Sequence, residues 1–250
     1  MANVHGLTKI GSEAHIIGDT LDSWADVCTS GIHVYVDCGS DETAEICRAH
    51  PAVVEVLESD LYDPDRPRAD AFNRQQILRS AKRFAGADDW FAYFDADEQL
   101  VDFPNEVLDD PQFRVIATNW HDVYITPEDV DAHYQARDWV SVEPVLIPQF
   151  YKYSRWLGFN RPDQRIMDHE PMTEYPIFGY TLHYGLGFSV EEWERKCNYY
   201  QQWPQYAEKW AARRGKAVNV DKVSVRGEPL QRFSEIRRSK YVDSSLRAVG

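Results

Sequence analysis

Cysteine is scarce in this chain: four in 250 residues, at Cys28, Cys38, Cys47 and Cys197. No two form a C-x-x-C pair and their density is too low for a disulfide framework, so reduced thiols and a cytoplasmic location are expected. Long apolar runs are also missing, and none approaches the roughly 18 residues that span a bilayer. The opening MANVHGLTKIGSEAHIIG lacks a basic start and a long apolar stretch, so no secretory signal is expected. Positive charge is in deficit, with 27 Lys and Arg against 41 Asp and Glu, a net of −14. Phosphate neutralisation needs a basic face, which excludes a general nucleic-acid binder. There is no internal repeat and no low-complexity tract.

What is present points to a soluble, aromatic-rich globular chain, with 43% hydrophobic and 13% aromatic residues. Its length allows one large domain or two small ones. The acid excess is uneven. Residues 205–250 carry eleven Lys/Arg against five Asp/Glu, a net of +6 that leaves −20 on residues 1–204. An acidic body suggests bound cations or solubility. The basic tail suggests a solvated linker within a longer multidomain chain, or a tether to a partner or an anionic membrane surface.

Strand-type and helix-type runs alternate over the first hundred residues. VHGLTKI (4–10), GIHVYVDCGS (31–40), AVVEVLES (52–59) and WFAYFDADE (90–98) read as strands. GSEAHIIGDTLDSWAD, DETAEICRAH and RADAFNRQQILRSAKRFAGADD read as helices or loops entering them. Such alternation predicts βαβ units and a mostly parallel α/β sheet, whose ligands sit at the carboxyl ends of the strands. RVIATNWHDVYI (114–125) reads as a further strand and residues 126–180 as irregular. Helical periodicity returns at 188–215, broken at Pro204.

The stretch WFAYFDADEQL runs an apolar strand into three carboxylates. Two acids at i and i+2 at a strand end can converge on one ion, so Asp95-Ala96-Asp97 offers a partial oxygen shell for Mg²⁺ or Mn²⁺ that a diphosphate would complete. A solvated acidic turn is the plain alternative. An EF-hand loop is not supported, since Gln99-Leu100-Val101 lacks its further ligands and glycine. A phosphatase-type nucleophilic aspartate has no accompanying motif, and sugar-nucleotide transfer gains from the context.

That context is the pairing of YVDCGSDETAEIC with RADAFNRQQILRSAKRFAGADDWFAYFDADE. Together they resemble the family 2-type glycosyltransferases of the GT-A fold, with their "VDxGSxDxT" strand exit and "DWxxxxDADE" strand. MDHEP (167–171) resembles the "HE" element of bacterial lipopolysaccharide-type members. TLHYGLGFSVEEWERKCNYYQQW resembles their "HY…S…K…Y" segment. The resemblance spans roughly residues 4–215, which implies a GT-A domain over 1–215, with C-terminal helices, followed by a basic extension or linker over 216–250. The departures are Cys38, where many members carry Asp or Asn, and residues 126–165.

The resemblance implies the site. Asp37 would meet the nucleotide base or ribose, although capping the following helix is its alternative, with Ser40 as the better cap. Lys9, Arg74, Asp95 and Arg165 join Asp37 as cofactor-binding residues. Asp97 would be the main metal ligand, with Asp95 and His183 completing the protein's share. The catalytic base would come from RPDQRIMDHE: Glu170 first, then Asp168 and Asp163, with salt-bridged loop acids as the alternative. The expected reaction moves a sugar from a nucleoside-diphosphate donor to a carbohydrate or glycolipid acceptor, with Mn²⁺ or Mg²⁺ and with inversion, in polysaccharide biosynthesis. A nucleotidyltransferase-type enzyme and a non-catalytic sugar- or cation-binding module remain as alternatives.

Overall fold

The computed structural model describes residues 2–141, 145–162, 164–172 and 174–238. The chain divides into two compact units: residues 1–119 with 146–181, and residues 120–145 with 182–250.

The first unit opens as the alternation predicts. Strand β1 (Val4–Ile10) leads to helix α1 (Ile17–Ala25), β2 (Ile32–Asp37) to α2 (Thr43–Ala49), and β3 (Val53–Ser59) to α3 (Arg66–Ala81) and then β4 (Trp90–Tyr93). After β4 come β5 (Glu98–Val101), β6 (Val115–Asp122), β8 (Val145–Lys152) and β9 (Ile177–His183), with the short β7 (Trp139–Val140) between β6 and β8. Eight strands form one sheet in the order β3-β2-β1-β4-β8-β6-β9-β5. The pairs β2·β3, β1·β2 and β1·β4 are parallel, while β4·β8 is antiparallel. The last residues of β6 and β9 are counted with the second unit.

Period-two alternation sorts the core onto two faces of the sheet. Ile32, Val34 and Val36 of β2, with Trp90, Ala92 and Phe94, pack against Ile17, Leu21 and Trp24 of α1 and Ala44 and Cys47 of α2. The intervening Tyr35, Phe91 and Tyr93 pack on the other face, against Ile77, Leu78 and Ala81 of α3.

The stretch expected to be irregular holds β7 and β8 and the start of β9. Pro148 and Gln149 interrupt the apolar run of β8, and proline in a run argues against a central strand. Yet β8 sits between β4 and β6. Gln149 is fully buried there because its amide meets Thr118, Thr181 and Glu98. A polar residue with every partner buried cannot be told from a loop residue by pattern.

A second polar cluster lies on the α3 face. His33 and His5 are both buried, with ring centroids 5.7 Å apart. His33 Nδ1 meets Glu55 at 3.0 Å, and Ser80 donates to the same carboxylate. Burial is the largest influence on His33 and, despite the pull of Glu55, holds its pKa below the ordinary 6.5. Glu55 is also held low: burial would raise it, and the bonds from Ser80 and His33 outweigh that. On acidification the unfolded chain therefore takes up the His33 proton first. The stability from its neutral ring is intact above the ordinary 6.5 and is lost as pH falls through the lowered folded value. The Glu55 contribution is lost only below its ordinary 4.5. The midpoint of thermal unfolding is expected to be level above about pH 7 and to decline below about pH 6.5. His33→Gln should flatten the first limb of that decline; an unchanged slope removes His33 as its source.

The second unit holds β7, the 3-residue turn at Tyr134–Ala136, α4 (Val190–Tyr200), α5 (Pro204–Ala211) and β10 (Gln231–Arg232). Ser189 caps α4, accepting from the Glu192 N–H at 3.1 Å, with Glu192 at the third position as a capping box requires. Pro204 opens α5, where its missing N–H costs nothing. The core joins Tyr124, Ile125, Leu186, Trp193 and Cys197 to Ala217 and Leu230.

That last pair bears on the expected boundary at 215. Residues 216–238 do not run free of the fold: β10 pairs antiparallel with β7, and Phe233 is buried. Their basic residues read as a solvated tail, but Lys222 Nζ and Arg232 Cζ lie 3.9 and 4.7 Å from the centroid of the Trp139 ring. Cationic heads placed over an aromatic face are attracted by its ring electrons. Residues 239–250 of the expected extension lie outside the described residues. Among those described, no helix is long and apolar enough to cross a membrane.

Candidate active site

Strands β2, β1 and β4 are parallel neighbours, so their carboxyl ends lie side by side. Lys9 of β1, Asp37 at the end of β2 and Asp95 just past β4 are brought to one edge, the edge where parallel sheets bind ligands.

Asp37 is not a helix cap. Its side chain is almost fully buried and meets Lys9 Nζ at 3.2 Å and Arg66 Nη2 at 2.5 Å. Both cations also reach Asp70, at 2.8 and 3.3 Å, so two acids and two bases close a compact quartet. Burial alone would raise the Asp37 pKa; Lys9 and Arg66 outweigh it and hold the carboxyl below its ordinary range. Cys38 then turns the chain with a positive φ of 53°. At the start of α2 the cap position is Glu42, which makes no side-chain cap bond; Asp41 Oδ1, one residue earlier, accepts the Thr43 N–H at 3.1 Å, and Ser40, the expected cap, contacts Ser12 instead.

The acidic turn is built with care for its backbone. Ala96 is buried and belongs to the first core cluster, so its methyl faces inward between two partly exposed aspartates. Helix α1 supplies the anchors: Thr20 Oγ1 donates to the Ala96 carbonyl at 2.6 Å and Trp24 Nε1 to the Glu98 carbonyl at 2.8 Å. Glu98 N–H donates to the Asp95 carbonyl at 3.2 Å, and Asp95 N–H to Glu98 Oε2 at 3.1 Å.

Three side chains converge on the Asp95 carboxylate. Tyr93 OH donates to Oδ1 at 3.0 Å and itself accepts from Arg74 Nε at 2.6 Å. Arg74 Nη2 stands 3.9 Å from Oδ1, and Arg165 Nη1 3.4 Å from Oδ2. Burial would raise the Asp95 pKa and the charge of Asp97 adds to that, but Arg165 and Arg74 prevail and Asp95 stays ionised. Two neighbouring carboxylates that repel each other present hard oxygens to a cation, and the donor set fits Mg²⁺ or Mn²⁺. Among the described residues no group of three or more His, Cys, Asp or Glu is gathered to hold a metal. Two carboxylates alone would make a partial shell, of the kind that substrate phosphates and waters complete.

Arg165 is delivered by the loop 158–168, which Gln164 organises. Gln164 Oε1 accepts from the backbone N–H groups of Asn160 and Arg161, at 2.7 and 2.9 Å, and its Nε2 donates to the Ile166 carbonyl at 2.8 Å. The Gln164 carbonyl accepts from Arg74 Nη1 at 3.1 Å, tying loop to helix. A cleft of about 340 Å³ opens beside it, lined by Ile147, Arg161, Pro162, Gln164, Arg165 and Ile166.

The candidate bases fare differently. Asp168 closes the same loop, accepting from Asn160 Nδ2, Arg161 Nη2 and Gln164 Nε2 at 2.8, 2.9 and 2.8 Å. Glu170 is exposed, and no hydrogen bond or ion pair engages it among the described residues. Between them, His169 Nε2 meets Tyr175 OH at 3.0 Å, and burial lowers the imidazole pKa. Asp163 lies outside the described residues.

In the second unit, His183 ends β9. Its Nδ1 lies 2.7 Å from Asp122 Oδ1, and its ring stacks on Trp120 at 4.5 Å. With the proton on Nδ1 and Asp122 accepting it, the lone pair falls on Nε2, the tautomer a metal ligand needs.

Arg66, Glu98, Gln164 and Asp122 were not picked out from sequence. Glu98 alone carried a signal, as a third carboxylate directly after two others on an apolar strand. The rest act across long separations that pattern does not report.

No protein-family model matches this chain, and no curated protein matches it. Solved structures do. Glucosyl-3-phosphoglycerate synthase from Mycobacterium tuberculosis, in complex with Mn²⁺, uridine diphosphate and glucosyl-3-phosphoglycerate, is 14% identical, with a TM-score of 0.33 over 48% of this chain and 44% of that one. The same enzyme with Mg²⁺ and uridine diphosphate is 13% identical, with a TM-score of 0.34 and the same coverage. S. aureus TarS is 13% identical, with a TM-score of 0.41 over 83% of this chain and 41% of that one. The chain spans less than half the length of each.

Proposed function

We propose that this chain is a metal-dependent GT-A glycosyltransferase, moving a sugar from a nucleoside-diphosphate donor to a carbohydrate acceptor with inversion. One observation carries the reading: an anchored turn at the carboxyl edge of a parallel sheet that carries Asp95 and Asp97, with Arg74 and Arg165 against Asp95. Fixed carboxylates and guanidinium forks in one place suit a divalent cation bound to a diphosphate.

In this reading Asp97 is the principal ligand of Mn²⁺ or Mg²⁺ and Asp95 its neighbour. The ion supplies neutralisation of the diphosphate and of the charge that grows on the leaving group. Asp37, ionised by its quartet, accepts hydrogen bonds from the ribose or base. Arg74 and Arg165, gathered beside Asp95, supply positive charge that suits a diphosphate. Glu170 takes the proton of the acceptor hydroxyl as that oxygen attacks the anomeric carbon. It is preferred to Asp168 because the lone pairs of Asp168 already accept three donors.

The test is incubation of the purified chain with a panel of nucleotide sugars and Mn²⁺, following release of nucleoside diphosphate. Release that a chelator stops is the expected result. Pyrophosphate as product points to a nucleotidyltransferase, and retained binding without turnover to a non-catalytic module; either overturns the proposal.

A further inference from the structure

Glu98 is the one carboxylate of the acidic stretch with no exposed surface. A charge so placed is costly unless fully paired, and both of its oxygens are. Oε2 accepts from the Asp95 N–H and from Gln149 Nε2, each at 3.1 Å. The orientation of the Gln149 amide is set from behind, since its Oε1 lies 2.6 Å from the hydroxyls of both Thr118 and Thr181. Its nitrogen must then face Glu98. Amide donors of this kind favour the ionised carboxylate.

Oε1 accepts from Arg165 Nη2 in a close contact. The other terminal nitrogen of the same guanidinium stands 3.4 Å from Asp95 Oδ2, a looser approach. Arg165 is therefore shared between two carboxylates, and the buried one has the shorter hold. An arginine left to Asp95 alone would form a two-point pair with it, since the guanidinium fork matches a carboxylate. A cation would then have to compete with that pair.

We propose that Glu98 is a positioning residue, whose buried charge holds the Arg165 guanidinium back from Asp95 and leaves that carboxylate to a divalent ion. This rests on the metal-binding reading above. Glu98 meets neither substrate nor ion. It acts through Arg165, and Gln149, Thr118 and Thr181 keep it in place.

The experiment is a Mn²⁺ titration of the full chain without nucleotide, read by electron paramagnetic resonance of the free ion, with thermal unfolding in parallel. Glu98→Gln keeps the shape and the acceptor oxygen but not the charge, and is expected to weaken Mn²⁺ binding about 10- to 100-fold. The double variant E98Q/R165Q removes the competing guanidinium as well and is expected to bind within about threefold of the parent. That recovery separates positioning from simple structural damage, which a second buried substitution does not repair.

E98Q binding within about threefold of the parent overturns the proposal, as does a double variant no tighter than E98Q. Should E98Q not fold, Arg165→Gln carries the test: it should bind Mn²⁺ at least as tightly as the parent, and a tenfold loss overturns the proposal. A parent chain that binds no Mn²⁺ at millimolar concentration overturns the metal reading together with the proposal. The two failures are thus distinguishable.

Discussion

Asp97→Ala is expected to reduce Mn²⁺-dependent release of nucleoside diphosphate by about a thousandfold or more, with the unfolding midpoint nearly unchanged. The two halves of that expectation have separate causes. The side chain of Asp97 is partly exposed, while the turn that carries it is held through its backbone by Thr20, Trp24 and Glu98. Removing it leaves those anchors in place. Asp95→Ala is a poorer probe, because it strips Arg74 and Arg165 of a counter-charge and so mixes stability with binding. Steady-state assays with and without chelator, alongside thermal melts, check the result. Full activity in Asp97→Ala, or parent activity indifferent to chelator, removes the mechanism proposed here.

The largest effect on stability is expected at Trp24. Its side chain is fully buried, stacked on Phe94 at 4.3 Å with an interplanar angle of 7°, and it donates to the Glu98 carbonyl. Trp24→Ala should cost about 3–5 kcal/mol, from lost burial and the cavity left behind. Trp24→Phe keeps most of the ring contact and loses the hydrogen bond, at a cost of about 1–3 kcal/mol, because the carbonyl stays buried. Urea denaturation of both variants reads the difference. A loss below about 1 kcal/mol in Trp24→Ala would mean that helix α1 does not hold the acidic turn in place.

Much of the first unit was readable because its signals are local. The strand VHGLTKI, the strand HVYVD and the run WFAYF are apolar over lengths that only buried strands need, and the helices between them carry their own punctuation. The Pro204 break between α4 and α5 was visible for the same reason. Strands β8 and β9 were not, since Pro148 and the buried Gln149 and Thr181 break the apolar pattern. Burial of these polar groups is tolerated only because they satisfy one another, and that pairing has no trace in the order of residues. The expected linker at 216–250 shows the converse. Its charge pattern reads as solvated, yet residues up to 238 contribute a strand and core side chains to the second unit.

The placing of the candidate site divides along the same line. Which strands end in acid follows from the sequence alone, because an apolar run of that length seeks the core; that Ala96 turns inward between Asp95 and Asp97 does not, since these residues form the turn between β4 and β5. Which acid answers to which cation was decided only in three dimensions. Asp37, Asp95 and Glu98 are alike as letters, but Asp37 is locked to Lys9 and Arg66 while Glu98 claims an arginine 67 residues away. Buried charges take whatever counter-charge the packed chain brings within reach, and that reach is a property of the fold.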